Sequence, residues 1–186
     1  MDLATAILTG LGLAAAAGLN AYIPLVIVGF LQYFDVVDFG APFDNLANPW
    51  VLGVLVVLLL VEILADKIPA VDSVNDVIQT VVRPAAGAVL FAASTSLGTE
   101  IPPVVSLIAG LITAGSVHAT KAAVRPVLNA GSAGVAAPVV STTEDIVSTV
   151  LAFVAILAPF LVLIALVLFV WFVVRWLRRR REPVPG

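Results

Sequence analysis

Two stretches of this chain, residues 3–34 and 146–174, contain no charged side chain at all. A helix rises about 1.5 Å per residue, so about 20 apolar residues cross the roughly 30 Å hydrocarbon core of a bilayer. Both runs exceed that length, and shorter uncharged runs lie at 45–61, 84–99, 101–117 and 126–143. The chain is 61% hydrophobic and 11% charged, where soluble domains carry about 25% charged residues. In lipid a backbone must satisfy its own hydrogen bonds, which leaves helices or a closed barrel. Barrel strands alternate apolar and polar residues, and these runs are continuous. The expectation is an all-α, polytopic helical membrane protein.

Breakers and charges predict about six membrane-embedded segments: 4–33, 50–66, 73–98, 101–124, 126–140 and 142–176. Arg83-Pro84 falls inside the third, and Pro159 predicts a kink in the last. NAGSAGVAAP (129–138) and GLNAYIP (18–24) are the expected places for broken or re-entrant backbone, and 126–140 either spans or re-enters. One transmembrane domain covers 1–176, with halves near 1–99 and 100–176, followed by a basic tail at 177–186.

Five of the nine basic residues, Arg175 and Arg178 to Arg181, sit near the C-terminus, whereas FDVVDFGAPFDNLANPW carries Asp35, Asp38 and Asp44 and no base. The positive-inside rule places the C-terminus in the cytoplasm and this loop outside, in a cell (plasma or inner) membrane. MDLATAIL lacks the basic start of a signal peptide, so the first segment is expected to be retained.

With no cysteine, disulfides, thiolate nucleophiles and cysteine-bound metals are excluded. GxSxG, Walker, GxGxxG and HExxH spacings are absent. Neither a metal nor a cofactor is expected, and a lone basic tail makes no case for nucleic acid.

An internal echo joins PAVDSVNDVIQTV (69–81) to PVVSTTEDIVSTV (138–150), with identities at Pro69/Pro138, Val71/Val140, Asp76/Asp145, Thr80/Thr149 and Val81/Val150. In the second copy, Ser141 and Glu144 have the spacing of a capping box, and the alignment puts Asp72 and Asn75 at the same places in the first. Both copies therefore predict a proline-preceded, capped helix. Two well-capped helices account for each residue singly, since acids suit the positive end of the helix dipole. As a pair in two halves, they also fit the repeats from which secondary transporters build their sites.

Outside the tail and the acidic loop, the charges gather. Glu62 and Asp66 are i,i+4 on one face, followed by Lys67. His118, Lys121 and Arg125 form a cationic stripe at i, i+3, i+7. Glu144 and Asp145 make a third cluster, with Asp72, Asp76 and Arg83 beside it. A charge at the bilayer centre costs about 2.5–3.5 kcal/mol on insertion scales, so these groups must face one another, water or the interfaces. Six acids against four bases leave a surplus of two negative charges when His118 is neutral. That surplus suits protons or a cation better than an anion, and His118 with a carboxylate suits a proton relay.

These residues give the chain a resemblance. It is similar to the bacterial integral membrane proteins grouped as domain of unknown function 4126. The similarity rests on Glu62, Ala65-Asp66-Lys67, Pro69, Asp72, Asp76, Arg83-Pro84 and Gly87, then His118, Lys121, Arg125, Asn129, Pro138, Ser141, Glu144 and Asp145. Two positions depart from the family pattern: Asn20, where arginine is usual, and Ala137, where asparagine is usual. The resemblance implies a helical membrane protein with clustered polar motifs and supplies no activity.

The leading functional expectation is a small transporter or permease handling a small solute, ion or lipid-like molecule in the bilayer. The alternatives are a membrane enzyme acting on a lipid or isoprenoid phosphate, with Arg83, Lys121 and Arg125 as its anion binders, and a structural or assembly subunit. The candidate polar network is Glu62, Asp66, Lys67, Asp72, Asp76, Arg83, His118, Lys121, Arg125, Asn129, Ser141, Glu144 and Asp145.

Overall fold

A computed structural model of the chain describes residues 2–39, 42–96, 101–132 and 136–179. Seven helices occupy these residues: α1 (Leu3–Leu19), α2 (Tyr22–Tyr33), α3 (Pro49–Ala65), α4 (Pro69–Ser96), α5 (Pro103–Ser132), α6 (Ala136–Leu157) and α7 (Pro159–Arg179). A 3₁₀ turn at Phe43–Ala47 precedes α3. Among the described residues there is no strand, so the all-α expectation holds.

Burial is inverted relative to a water-soluble protein. Among the described residues the largest fully buried side chain is Arg83, accompanied inside by Gln79, Glu62, Asn20 and Asp66. Leu60, Leu64, Val77, Val81, Ile112 and Ile164 point outward and are each more than half exposed. Leucine and valine facing out around a polar and small-residue interior is the arrangement a hydrocarbon solvent selects. Val74–Ser96, Pro103–Val124 and Pro138–Leu157 are long and apolar enough to cross a bilayer.

Glycine sets the helix spacing. A Cβ on Gly18 of α1 would stand 2.6 Å from both the Ala114 carbonyl oxygen and Val117 Cβ of α5. One on Gly12 would stand 2.6 Å from Ala155 Cβ of α6 and 2.9 Å from Val162 of α7. Gly87 and Gly110 likewise bring α4 and α5 into backbone contact. Close approach of this kind is how helices associate in lipid.

Contacts along α1 fix its direction. Gly10 meets Phe91 near the end of α4, whereas Gly18 meets Val117 and Asn20 meets Asp145. On α2, Tyr22 lies beside Gln79, Gly29 packs on Leu46 and Leu52, and the following loop reaches the end of α4 through Ser96 Oγ, 2.6 Å from the Phe39 carbonyl oxygen. α1 and α2 therefore form a hairpin whose turn, at Asn20 and Ala21, sits at the depth of Arg83.

The expected single segment 4–33 is thus two half-length helices, divided within GLNAYIP as anticipated. Expected segments 101–124 and 126–140 are divided elsewhere: α5 continues through Pro126 to Ser132, and residues 133–135 lie outside the described ones. The kink expected at Pro159 is a helix boundary, because Ala158 separates α6 from α7 and Pro159 opens the new helix, where its missing N–H costs nothing. Expected segments 50–66 and 73–98 match α3 and α4. At the head of α3, Asn48 Oδ1 accepts from Trp50 N at 2.9 Å with Pro49 at the first helical position, a standard start.

Candidate functional site

The hairpin turn exposes backbone groups that lipid could not satisfy. The last carbonyls of α1 need donors and the first amides of α2 need acceptors. Lys121 Nζ of α5 donates to the Leu19 carbonyl at 3.0 Å, and Ser148 Oγ of α6 donates to that of Ala16 at 2.9 Å. Asn20 Oδ1 accepts from the amides of Tyr22 and Ile23, each at 3.1 Å. This fixes the amide orientation, so Nδ2 is left to donate to Asp145 Oδ1 at 2.9 Å. Side chains from its own first residue, α5 and α6 together build the turn.

Beside it lies the charged cluster. Arg83 projects from α4 with no exposed surface, and its Nε and Nη2 donate to Glu62 Oε1 at 3.3 and 2.9 Å. Its nitrogens also stand 3.6 Å from Asp66 Oδ2 and 3.7 Å from Asp76 Oδ1. Lys121 Nζ is 2.9 Å from Glu144 Oε2 and 3.7 Å from Asp66 Oδ2. Asn75 Nδ2 donates to Asp66 Oδ1 at 2.8 Å. Lys67, at the edge, donates to the Ile63 carbonyl and stands 3.8 Å from Asp145 Oδ2. Five carboxylates therefore share three cations across these contacts.

His118 closes the cluster on the α5 side. Arg83 Nη1 lies 3.0 Å from its Nδ1, and Thr80 Oγ1 lies 3.2 Å from its Nε2. A guanidinium can only donate, so Nδ1 is the acceptor and the ring proton resides on Nε2. Thr80 Oγ1 gives its own hydrogen to the Asp76 carbonyl at 2.8 Å and accepts from the imidazole. The imidazole is neutral in this arrangement.

Arg83 is nine residues past Val74, the first residue of its apolar span, which is about 14 Å of helix. The cluster grades from enclosed to accessible: the side chains of Glu62 and Arg83 have no exposed surface, Asp76 is 22% exposed and Lys67 36%. Its open side is the end where α4 begins.

A family model described as a domain of unknown function (DUF4126) matches residues 7–179. The chain belongs to this family. No curated protein and no solved structure matches it. The DUF4126 resemblance seen in the sequence is therefore confirmed, and one of its two departures, Asn20, falls at the hairpin turn against Asp145.

Of the expected network in this DUF4126 chain, Glu62, Asp66, Lys67, Asp76, Arg83, His118, Lys121, Glu144 and Asp145 converge. The side chains of Asp72, Arg125 and Asn129 lie outside the described residues. Ser141 is buried, but the capping-box expectation is wrong. α6 starts at Ala136, so Ser141 sits in its second turn, its Oγ without a hydrogen-bond partner among the described residues, and Glu144 turns to Lys121 instead. α4 likewise starts at Pro69, ahead of the cap expected at Asp72, and Asn75 turns to Asp66. Counting charges missed Asn20, Asn75, Gln79, Thr80 and Ser148. For three of them the signal was spacing: Gln79 and Thr80 fall one turn from Arg83, and Ser148 follows Asp145 by three.

Proposed function

We propose that this DUF4126 protein is a small permease of a bacterial cell membrane, with the buried network at its transport site. The observation that carries this reading is the excess of carboxylate among the described side chains, five acids on three cations around a broken-helix turn, with Glu62 and Asp66 fully enclosed. Half-helix ends meeting ionised groups inside a membrane are how many secondary transporters hold substrates and coupling ions. An ion network serving only to hold helices together would be expected to balance, because each uncompensated buried charge is strongly destabilising. The echo of 69–81 in 138–150 lends support, since the two matched stretches fall at the starts of α4 and α6, which both contribute to the cluster. By the positive-inside rule the Arg175–Arg181 end faces the cytoplasm.

The alternative of an enzyme on lipid or isoprenoid phosphate draws less support. Arg83 and Lys121, two of its expected anion binders, are each engaged by carboxylates. The test is reconstitution in proteoliposomes carrying a trapped pH dye, with an imposed proton gradient and a panel of small neutral and cationic solutes outside. One solute class is expected to collapse the gradient faster than in protein-free vesicles, and folded Glu62→Gln protein is expected to lose the effect. No responding solute, or unaltered flux in both Glu62→Gln and Asp66→Asn, overturns the reading.

A further inference from the structure

Two buried acceptor oxygens near the centre of the cluster, Glu62 Oε2 and Gln79 Oε1, have no hydrogen-bond donor among the described residues, while a third, Asp76 Oδ1, has Arg83 Nη1 at 3.7 Å. Glu62 is 1% exposed and Gln79 2%. They share a neighbourhood. Gln79 is one turn from Arg83 on the same face of α4, Arg83 holds the other oxygen of Glu62, and Tyr22 interacts with both Gln79 and Glu62. An acceptor left bare in such a place is destabilising. A carboxylate and an amide oxygen cannot satisfy each other. A carboxylic acid and an amide oxygen can, because the protonated acid donates one hydrogen bond.

The surrounding charges favour a proton at this carboxyl over its neighbours. From α3 and the residues just after it come Asp66 and Lys67; from α4, Arg83 and Asp76; from α5, His118 and Lys121; from α6, Glu144 and Asp145; from α2, Tyr22. Lys67 serves Asp145, and Lys121 serves Glu144 and Asp66. Asp66 also receives Asn75 on its other oxygen. Arg83 alone faces three carboxylates, Glu62, Asp66 and Asp76, and one positive charge offsets only one of them. Of these, Asp76 is partly exposed and can be stabilised by water, and Asp66 has a second cation. Glu62 has neither.

We propose that Glu62 is the proton carrier of the network: its Oε2 takes a proton that enters from water at the open side of the cluster, where Asp76 is partly exposed, and donates it in a hydrogen bond to Gln79 Oε1. Oε1 then remains the acceptor for Arg83, and deprotonation returns the proton to water with no redox change. This inference rests on the permease reading and names its coupling ion. The donor set suits a proton better than a metal ion, since among the described residues no His, Asp and Glu gather in metal-binding geometry.

Infrared spectroscopy of the full chain in lipid separates this proposal from the permease reading, because it needs no solute to move. At neutral pH the wild type is expected to show the C=O stretch of a buried protonated carboxyl, shifted on transfer to heavy water. The band should disappear in Glu62→Gln and survive in Glu144→Gln and Asp66→Asn. Uniform ¹³C-glutamate labelling of the unmutated protein should displace it, and ¹³C-aspartate labelling should not, which keeps the test valid even where a variant fails to fold. A band that persists in Glu62→Gln, that moves with aspartate labelling, or that never appears at any pH tolerated by the protein overturns the proposal. A confirmed band with no solute flux would sink the permease and leave standing only the protonation of Glu62 and its bond to Gln79.

Discussion

Asn20 and Asp145 are 125 residues apart in the chain and 2.9 Å apart in the fold. The same amide that reaches Asp145 also caps α2 through its oxygen, so one side chain ties the hairpin turn to α6. Asn20→Ala removes the cap and the carboxylate's donor together. Loss of a cap alone costs about 1 kcal/mol, and the variant should unfold at lower temperature in detergent by circular dichroism. Asn20→Asp should be worse near neutral pH, because it sets two carboxylates face to face, and should recover as the medium is acidified. A stable Asn20→Asp at neutral pH would contradict the arrangement.

Arg83 tests whether the cluster is a unit. Arg83→Met leaves Glu62, Asp66 and Asp76 without their shared cation, and breaking one side of a buried pair costs about 3–5 kcal/mol. Arg83→Lys should rescue little, since an ammonium cannot reproduce the two bonds to Glu62 Oε1 while also donating to His118. Replacing both partners, Arg83→Met with Glu62→Met, should recover a large part of the loss. Denaturation midpoints of the three variants decide it.

The sequence contains one histidine, so ¹⁵N-histidine NMR reads His118 without assignment. The spectrum at neutral pH should show a neutral ring with the proton on Nε2 and a bare Nδ1. A protonated Nδ1 would mean that Arg83 does not donate to it.

Two glycines in helices should respond in opposite directions to alanine. Gly18→Ala forces a methyl against the Ala114 carbonyl and Val117, and overpacking of this kind costs about 1–3 kcal/mol. A methyl on Gly53 would meet nothing within 4 Å, and removing a mid-helix glycine gains about 0.5–1 kcal/mol. Melting temperatures should fall for the first and rise for the second.

At the start of α1, Asp2 Oδ1 accepts from Thr5 N at 2.7 Å, which holds the Asp2 carboxyl below its ordinary value. The folded form therefore prefers the ionised acid. That contribution is present above the ordinary carboxylate value and is lost as pH falls through the lowered one. The melting temperatures of wild type and Asp2→Ala should differ at neutral pH and draw together in acid.

The sequence made the helices legible where composition alone decides, as in α3 and α4, and made the members of the cluster legible because charge is scarce here. It located breaks better than it read their consequence where long-range partners decide. GLNAYIP reads as a place for a break, yet 4–33 reads as one spanning segment, because the partners that hold the turn, Lys121, Ser148 and Asp145, are all more than 100 residues away. Ser141 read as a cap because its local spacing fits one, whereas Lys121 draws Glu144 elsewhere. Gln79 left no trace among the charges because an uncharged amide enters no charge count.

The hairpin of α1 and α2 also bears on the order in which this protein can be made. Its Leu19 carbonyl receives its donor from Lys121, and its Ala16 carbonyl, already bonded to the Asn20 amide, receives a second from Ser148; both side chains leave the ribosome long after Leu19. Until Lys121 arrives, hydrocarbon would strand the Leu19 carbonyl. The first 33 residues are therefore expected to wait at the membrane surface or in the shelter of the insertion machinery and to take their final depth last, although they are synthesised first.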